Sequence, residues 1–206
     1  MFKISKMITR ISIPVLLIFA FNVATAEDAP KWNVDASHTT IDFSVKHFFT
    51  PVKGTFDDFN IDLRFDPNNL EGSSIDAEIM INSINTRNDK RDNHLMSGDF
   101  FNAEKFPKMT FTSDEIVKKG QGYVAKGTLQ IKDVKKEVEL PFQLLGVKEL
   151  PEEMSKNFGG IKEVASFQAS YTLDRNDYDV GTGSWAATVV VGDEVNITIS
   201  LEANRK

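Results

Sequence analysis

The chain has 206 residues, of which 41% are hydrophobic and 26% charged, and it contains no cysteine. Those figures exclude wholesale disorder, a disulfide scaffold, a thiol nucleophile, a Cys-ligated metal centre and a Cys-acylated lipoprotein. A formal net charge of −6 argues against a nucleic-acid partner, which calls for a basic excess.

Residues 1–26 read as a secretory signal peptide. Lys3, Lys6 and Arg10 form a positive start, Ile11 to Val23 an apolar stretch, and Ala24-Thr25-Ala26 a small-residue cleavage site. The apolar run is about 13 residues, well short of the roughly 20 that span a bilayer. Removing this leader leaves 180 residues with 21 basic against 30 acidic side chains, a net charge of −9. The expectation is a periplasmic protein, secretion being the lesser alternative, with one domain over residues 27–206.

Strict alternation of apolar and polar residues dominates that domain. Ile41, Phe43 and Val45 begin it; Phe59, Ile61, Leu63 and Phe65 follow, then Ile75, Ala77, Ile79 and Ile81. Met109 and Phe111 lead into a strand reaching Val117, and Tyr123–Ile131 is its hairpin partner across Lys119-Gly120-Gln121-Gly122. Val138 to Leu144, Phe167 to Leu173 and Val195 to Leu201 complete about eight strands, each with one apolar and one wet face. Antiparallel strands of this kind close into a barrel or stack as a sandwich, and long strands with short hairpins favour the barrel. A ten-residue strand is about 34 Å long, so an eight-stranded barrel has room for a slender, long, apolar ligand.

Residues 84–107 break the alternation. Asn85 or Asn88 is placed to cap a helix ending near Gly98, and Asp99 to cap a second short turn before Pro107. The segment at about 86–106 is therefore expected to lie as a helical lid over one open end.

Several spaced blocks support a family resemblance. They are Trp32-Asn33-Val34-Asp35-Ala36-Ser37-His38, Ile41 to His47, Val52-Lys53-Gly54-Thr55-Phe56, Arg91-Asp92-Asn93-His94-Leu95, Asp99-Phe100-Phe101-Asn102-Ala103, Gly127 to Ile131, Asp174-Arg175-Asn176-Asp177-Tyr178 and Gly192-Asp193-Glu194-Val195. From Trp32 to about Ala203 the chain resembles the YceI-like, polyisoprenoid-binding family. Gln130, Asp133 and Thr39 depart from the common pattern, in a strand, a turn and a strand start. The resemblance implies an all-β fold, an extended eight-stranded antiparallel lipocalin-like barrel. It also implies a periplasmic carrier or sensor of a long isoprenoid lipid, a polyprenyl phosphate or a quinone. No other cofactor and no metal are expected. Transient contact with a membrane or membrane proteins, and a homodimer, stay open.

The apolar ligand walls expected on this basis are Phe43, Val45, Phe59, Ile61, Ile79, Phe111, Leu129, Leu140, Phe142, Phe167 and Tyr171. For a head group, Arg87, Arg91 and His94 are spaced i, i+4, i+7 and would share one face of a helix over 86–97, with His47 joining from the end of an early strand. Arg91 would offer a phosphate two parallel hydrogen bonds; alternatively it orders the lid. Catalysis is not expected. No His falls in a zinc-protease motif, Gly181-Thr182-Gly183-Ser184 is not a nucleophile elbow, and Asp57-Asp58 and Glu152-Glu153, read as strand neighbours, would face opposite ways. Two alternatives remain: a stress-response interaction protein with a filled barrel, and a hydrolase or isomerase for a small apolar substrate.

Overall fold

The computed structural model describes residues 27–185 and 190–206, so the signal-peptide reading lies outside the described residues. The alternating segments form strands: β1 (Lys31–Val34), β2 (Thr40–His47), β3 (Thr50–Phe56), β4 (Phe59–Arg64), β5 (Ser74–Met80), β6 (Ile84–Asn85), β7 (Lys108–Lys119), β8 (Gly122–Ile131), β9 (Val134–Glu149), β10 (Glu163–Asp174) and β11 (Val191–Arg205). All neighbouring pairs are antiparallel, and the sheet closes where β1 meets β11 at Asn33↔Asn204 and Val34↔Ala203.

Eleven segments fill eight positions in the wall. β11 pairs with β2 through its first half and with β1 at its end, so β1 and β2 are one broken strand. β3 pairs with β2 and β4 with β1; β6 pairs with β3 and β5 with β4. The breaks are a turn at Ala36–His38 capped by Asp35, the pair Asp57-Asp58, and a turn at Ile81–Ser83. Two of them are tied together by hydrogen bonds from Asp57 N to Ser83 O and from Met80 N to Asp58 O. Asp57 and Asp58 thus stand at a crease in the wall and not inside a regular strand.

One end of the barrel is plugged. Phe65, 2% exposed, sits edge-on to Tyr123, Phe142 and Phe167 with ring centroids 5.0, 5.6 and 5.5 Å away. Trp32 adds an edge contact to Phe167 and donates its indole N–H to Phe65 O at 2.9 Å. Ala125, Ala165 and Ala203, all fully buried, are the small residues that let these rings converge. Gly127 in β8 serves close approach in another way: a Cβ there would lie 2.1 Å from the Thr112 carbonyl oxygen of β7.

The other end carries α1 (Asp89–Met96). Asn88 caps it by accepting from Arg91 N at 3.1 Å. The helix is shorter than the expected 86–97, because Arg87 takes a left-handed φ of 60° and Asn88 is extended. The second short turn before Pro107 is present, but without the expected cap. After Ser97 the chain folds as successive turns held by Leu95, Met96 and Ser97 carbonyls, and Asp99 caps nothing; it pairs with His94. A second helix that the alternation concealed, α2 (Glu152–Asn157), follows β9 near the plugged end. Glu152 and Glu153 lie in its first turn, not in a strand.

Asp35 closes the first turn by accepting from Ser37 N at 2.9 Å, Ser37 Oγ at 2.5 Å and His38 Nδ1 at 2.9 Å. The Ser37 and His38 hydrogen bonds lower the Asp35 pKa to about 2, and the Asp35 hydrogen bond and charge, with Glu202 behind them, raise that of His38. Asp35's contribution is present above its ordinary 3.8 and is lost as pH falls through about 2. His38's is fully present below its ordinary 6.5 and is lost as pH rises through its elevated value. The pair therefore holds best between those ordinary values. An NMR titration should find the His38 ring above 6.5, and Asp35→Asn should bring it back down; an unchanged midpoint in the variant contradicts the pairing. At the plug, Phe65→Ala should cost about 3–5 kcal/mol in denaturant unfolding, the range for emptying a large buried aromatic site.

Candidate functional site

Between plug and lid the inward faces of the strands enclose two adjoining apolar spaces. The inner one is about 160 Å³ and no polar surface faces it. Ile61, Leu63, Ile75, Ala77, Ile79, Phe111, Leu129, Leu140, Phe142, Phe167 and Tyr171 are among its walls. The outer one, about 100 Å³, lies under the lid and is bounded by Val45, Ile84, Leu95, Phe100, Tyr178 and Val191, again with no polar surface. Phe43, Phe56, Met109, Ile131, Leu173 and Ile197 border both and so form the partition. Each space alone is of the size that holds one small ring-shaped guest, below the roughly 300–1,000 Å³ typical for a bound ligand. No buried side-chain N or O among the described residues lacks a hydrogen-bond partner.

Ten of the eleven expected wall residues border these spaces. Phe59 does not. It is the first residue after the crease, and there it packs against the cluster of Ile41, Phe56, Ile79, Ile81 and Ile84.

The expected cationic face is not assembled. Arg87 precedes α1 and lies in a recess of the outer wall with Asp42, Ser44, Lys53, Asn85, Asn196 and Thr198. Arg91 faces its own chain: its Nε donates to Thr86 Oγ1 at 2.7 Å and its Nη2 to Thr86 O at 2.7 Å. Asp92 grips the same residue, accepting from Thr86 N at 3.0 Å and from its hydroxyl. Thr86, 4% exposed, is thus the peg on which α1 hangs. Gly54 makes room for it, since a Cβ there would fall 2.5 Å from the Phe43 ring and 2.8 Å from Thr86 Cγ2. His94 Nε2 is 2.8 Å from Asp99 Oδ2, and its ring meets Phe100 and Trp185 edge-on at 5.1 and 5.4 Å. His47 is exposed and contacts Phe48 in the β2–β3 hairpin; none of its described contacts reaches α1.

Two polar residues at this end escaped the sequence reading. Arg175, 4% exposed, borders the outer space. It donates Nε to Gly192 O at 2.9 Å, Nη1 to Val180 O and Gly181 O at 2.9 and 2.7 Å, and Nη2 to Trp185 O and Val191 O at 2.7 and 3.2 Å. The five N–H groups meet five backbone carbonyls, with Asn176 Oδ1 also within 3.3 Å of Nη1, so the cation is engaged as a staple of the chain around it. Burial lowers its pKa while Asp174 and Asp193 oppose the shift. Tyr178, 2% exposed, stands beside it with its phenol pushed up to about 12 by burial. Their place in the Asp174–Tyr178 block was the available signal; burial was not visible in it.

The profile of the YceI-like domain matches residues 32–203. The chain belongs to the YceI-like family. A UPF0312 protein of Yersinia enterocolitica is 31% identical over 98% of both chains, and one of Pectobacterium carotovorum 32% identical over 85% of this chain and 86% of its own. The structure of Burkholderia cenocepacia BcnA is similar at a TM-score of 0.72 and 25% identity, covering 83% of this chain and 99% of that one. The YCEI protein of Campylobacter jejuni is similar at 0.66 and 35% identity, covering 76% and 86%. A polyisoprenoid binding domain from Saccharophagus degradans, at 0.61 and 16% identity over 85% and 98%, shares the fold. The YceI-like barrel is therefore the architecture, with Thr86, Arg91 and Asp92 as its lid clip in this chain.

For metals, one group among the described residues has three ligand types within reach: Asp35, His38 and Glu202, with their ligand atoms within 4.8 Å of one another. It lies on the outside at the β1–β2 break, and the Asp35 carboxylate is already bonded to Ser37 and His38.

Because Arg91 is committed to Thr86, Arg91→Ala should change the affinity for a polyprenyl phosphate and for an uncharged isoprenoid quinone, if the protein binds them, by the same factor. Titration of both ligands against both proteins measures this; a loss confined to the phosphate means that Arg91 reads the head group.

Proposed function

We propose that this YceI-like barrel is a binding protein for a long isoprenoid lipid, exported to the periplasm, where it holds the chain in its lumen. The observation that carries the proposal is the wholly apolar wall between the plug and the lid. Each buried methylene contributes about 0.8 kcal/mol, so a prenyl chain gains enough from such a wall to bind without any polar contact. The Saccharophagus degradans domain, with the same fold, is named for polyisoprenoid binding. The signal-peptide pattern read in the sequence of residues 1–26 supports export.

Binding is favoured over catalysis because, among the described residues, no polar surface faces the lumen. Asp42 and Gln168 border the inner space without placing polar surface on it. The cations at the mouth, Arg91 and Arg175, are held by hydroxyl and carbonyl oxygens, which suits an uncharged quinone or a head group left outside.

The small volumes favour a second reading, a filled barrel that works through its surface. A long chain threads the lumen only when the partition moves. Met109, with its flexible thioether, and the Phe43–Phe56 pair at 5.4 Å are the groups that must turn. Protein purified from its host, extracted with organic solvent and analysed by mass spectrometry, should yield isoprenoid at near-stoichiometric amounts. Ala77→Phe, which fills the inner space, should remove that lipid at a stability cost of about 1–3 kcal/mol. Lipid-free wild-type protein supports the filled-barrel reading.

A further inference from the structure

The tip of the β2–β3 hairpin is built against the usual preference for such turns. Phe48 and Phe49 alone join His47 to its partner Thr50. Two-residue hairpin loops favour Gly, Asn and Asp, because one or both positions take a positive φ. Phe48 stands at φ 53°, a conformation costly for a bulky side chain. Packing does not offset the strain: Phe48 is 51% and Phe49 93% exposed, and residues 46–51 are all exposed. Strained, solvent-facing aromatic residues point to function and not to stability.

The position of the tip is equally particular. Val45, at the root of the hairpin, borders the outer apolar space, and His47 pairs with Val191, which borders it as well. Phe48 N donates to Val190 O at 2.7 Å. The two rings therefore continue the wall beyond the mouth of the barrel. Lys46 and Lys53 flank them, both exposed and in no ion pair with a described residue. Asp193 and Glu194 lie in the adjoining bulge of β11, opposite Lys46, between the pairs Val191↔His47 and Val195↔Val45. On a chain of net charge −6, the hairpin segment 46–53 carries these two lysines and no acid. Among the described residues the other large exposed apolar side chains, Leu145, Val147, Met154 and Phe158, lie near the plugged end, among both acidic (Glu149, Glu152, Glu153) and basic (Lys148, Lys156, Lys162) groups.

We propose that the Phe48–Phe49 tip inserts into the interface of an anionic phospholipid bilayer and seats the mouth of the barrel against it. The rings enter the boundary between head groups and acyl chains, and Lys46 and Lys53 meet the phosphates. An apolar ligand then passes between bilayer and lumen without crossing water. That consequence rests on the lipid-binding reading above; the docking itself does not.

The test uses vesicles of phosphatidylglycerol and phosphatidylethanolamine. In Phe49→Trp the added indole reports on the tip itself. Its emission should shift to the blue and be quenched by brominated phospholipid, beyond any change in the parent protein. In flotation, Phe48→Ser/Phe49→Ser should lower partitioning about tenfold or more, as expected for losing one or two buried rings. Lys46→Gln/Lys53→Gln and added salt should also weaken it, and Phe158→Ser should not. An unshifted, unquenched signal from the added indole, or equal flotation of the double Ser variant and the parent, overturns the proposal. Extraction of the same preparations separates the two readings. Protein that docks but carries no isoprenoid refutes the lipid reading alone, and protein that carries isoprenoid but does not dock refutes the docking alone.

Discussion

Closure of the wall rests on β11, because its two halves pair with different strands. Its first half runs beside β2 and its last residues beside β1, while its other edge pairs with β10 over twelve residue pairs. Opening it would expose unpaired N–H and C=O groups on three strands at once, and the sheet has no other seam at which to rejoin. The rest of the molecule follows from this closed ring. Once every strand must keep one face inward, the interior is a column of Phe, Ile, Leu and Val, and polar residues are confined to the outside and to the two ends. The ion pairs on the outer surface, such as Lys31–Asp62 and Lys126–Glu115, are half exposed and contribute little by comparison.

The polar residues at the mouth illustrate how a closed barrel treats charge. Arg91 and Arg175 both sit near an apolar space, and both are turned away from it by oxygen atoms of their own chain. A guanidinium with five N–H groups is costly to bury unless each finds an acceptor. Arg175 meets that demand with the carbonyls of Val180, Gly181, Trp185, Val191 and Gly192, and in doing so it gathers the chain on both sides of the 183–185 turn around one point. Arg91, only half-buried, gives two of its N–H groups to Thr86, which Asp92 grips as well. The cations serve to shape the mouth, which leaves the lumen free of polar surface.

Alternation made the fold legible, since the period of two in each segment survives in the wall and even the strand count matches the eight positions. The creases were not legible. A break of two residues, as at Asp57-Asp58, leaves the alternation on either side intact, so nothing in the pattern marks where one position becomes two strands or that Phe59 leaves the open lumen. The lid was legible as an interruption, but its cationic face was not. Helical spacing places Arg87, Arg91 and His94 together only if the helix includes Arg87, and with Asn88 as cap the helix starts at Asp89, two residues too late for that. Thr86, the peg, carried no signal at all, because its role comes from two neighbours in α1 and from the space left by Gly54 in a different strand.

The two ends of the barrel are held by different forces, and this sets where it can open. At the plug, Phe65, Phe142, Phe167 and Trp32 are buried to within a few per cent, and separating them exposes aromatic surface that water does not compensate. At the lid, the hydrogen-bonded tie is Thr86 to Arg91 and Asp92, beside the packing of Leu95, Phe100 and Phe101 on the strands. The net worth of such hydrogen bonds is about 1 kcal/mol each for neutral groups and roughly 1.5–3 where a charge takes part, because the freed donors and acceptors bond to water instead. Lifting α1 and the turns after it also uncovers Phe100 and Phe101, so the movement is not free. It remains the cheaper of the two, and it opens toward the outer space, whose partition residues Met109, Phe43 and Phe56 separate it from the inner one. Access from the mouth inward, one compartment at a time, follows from that difference in forces.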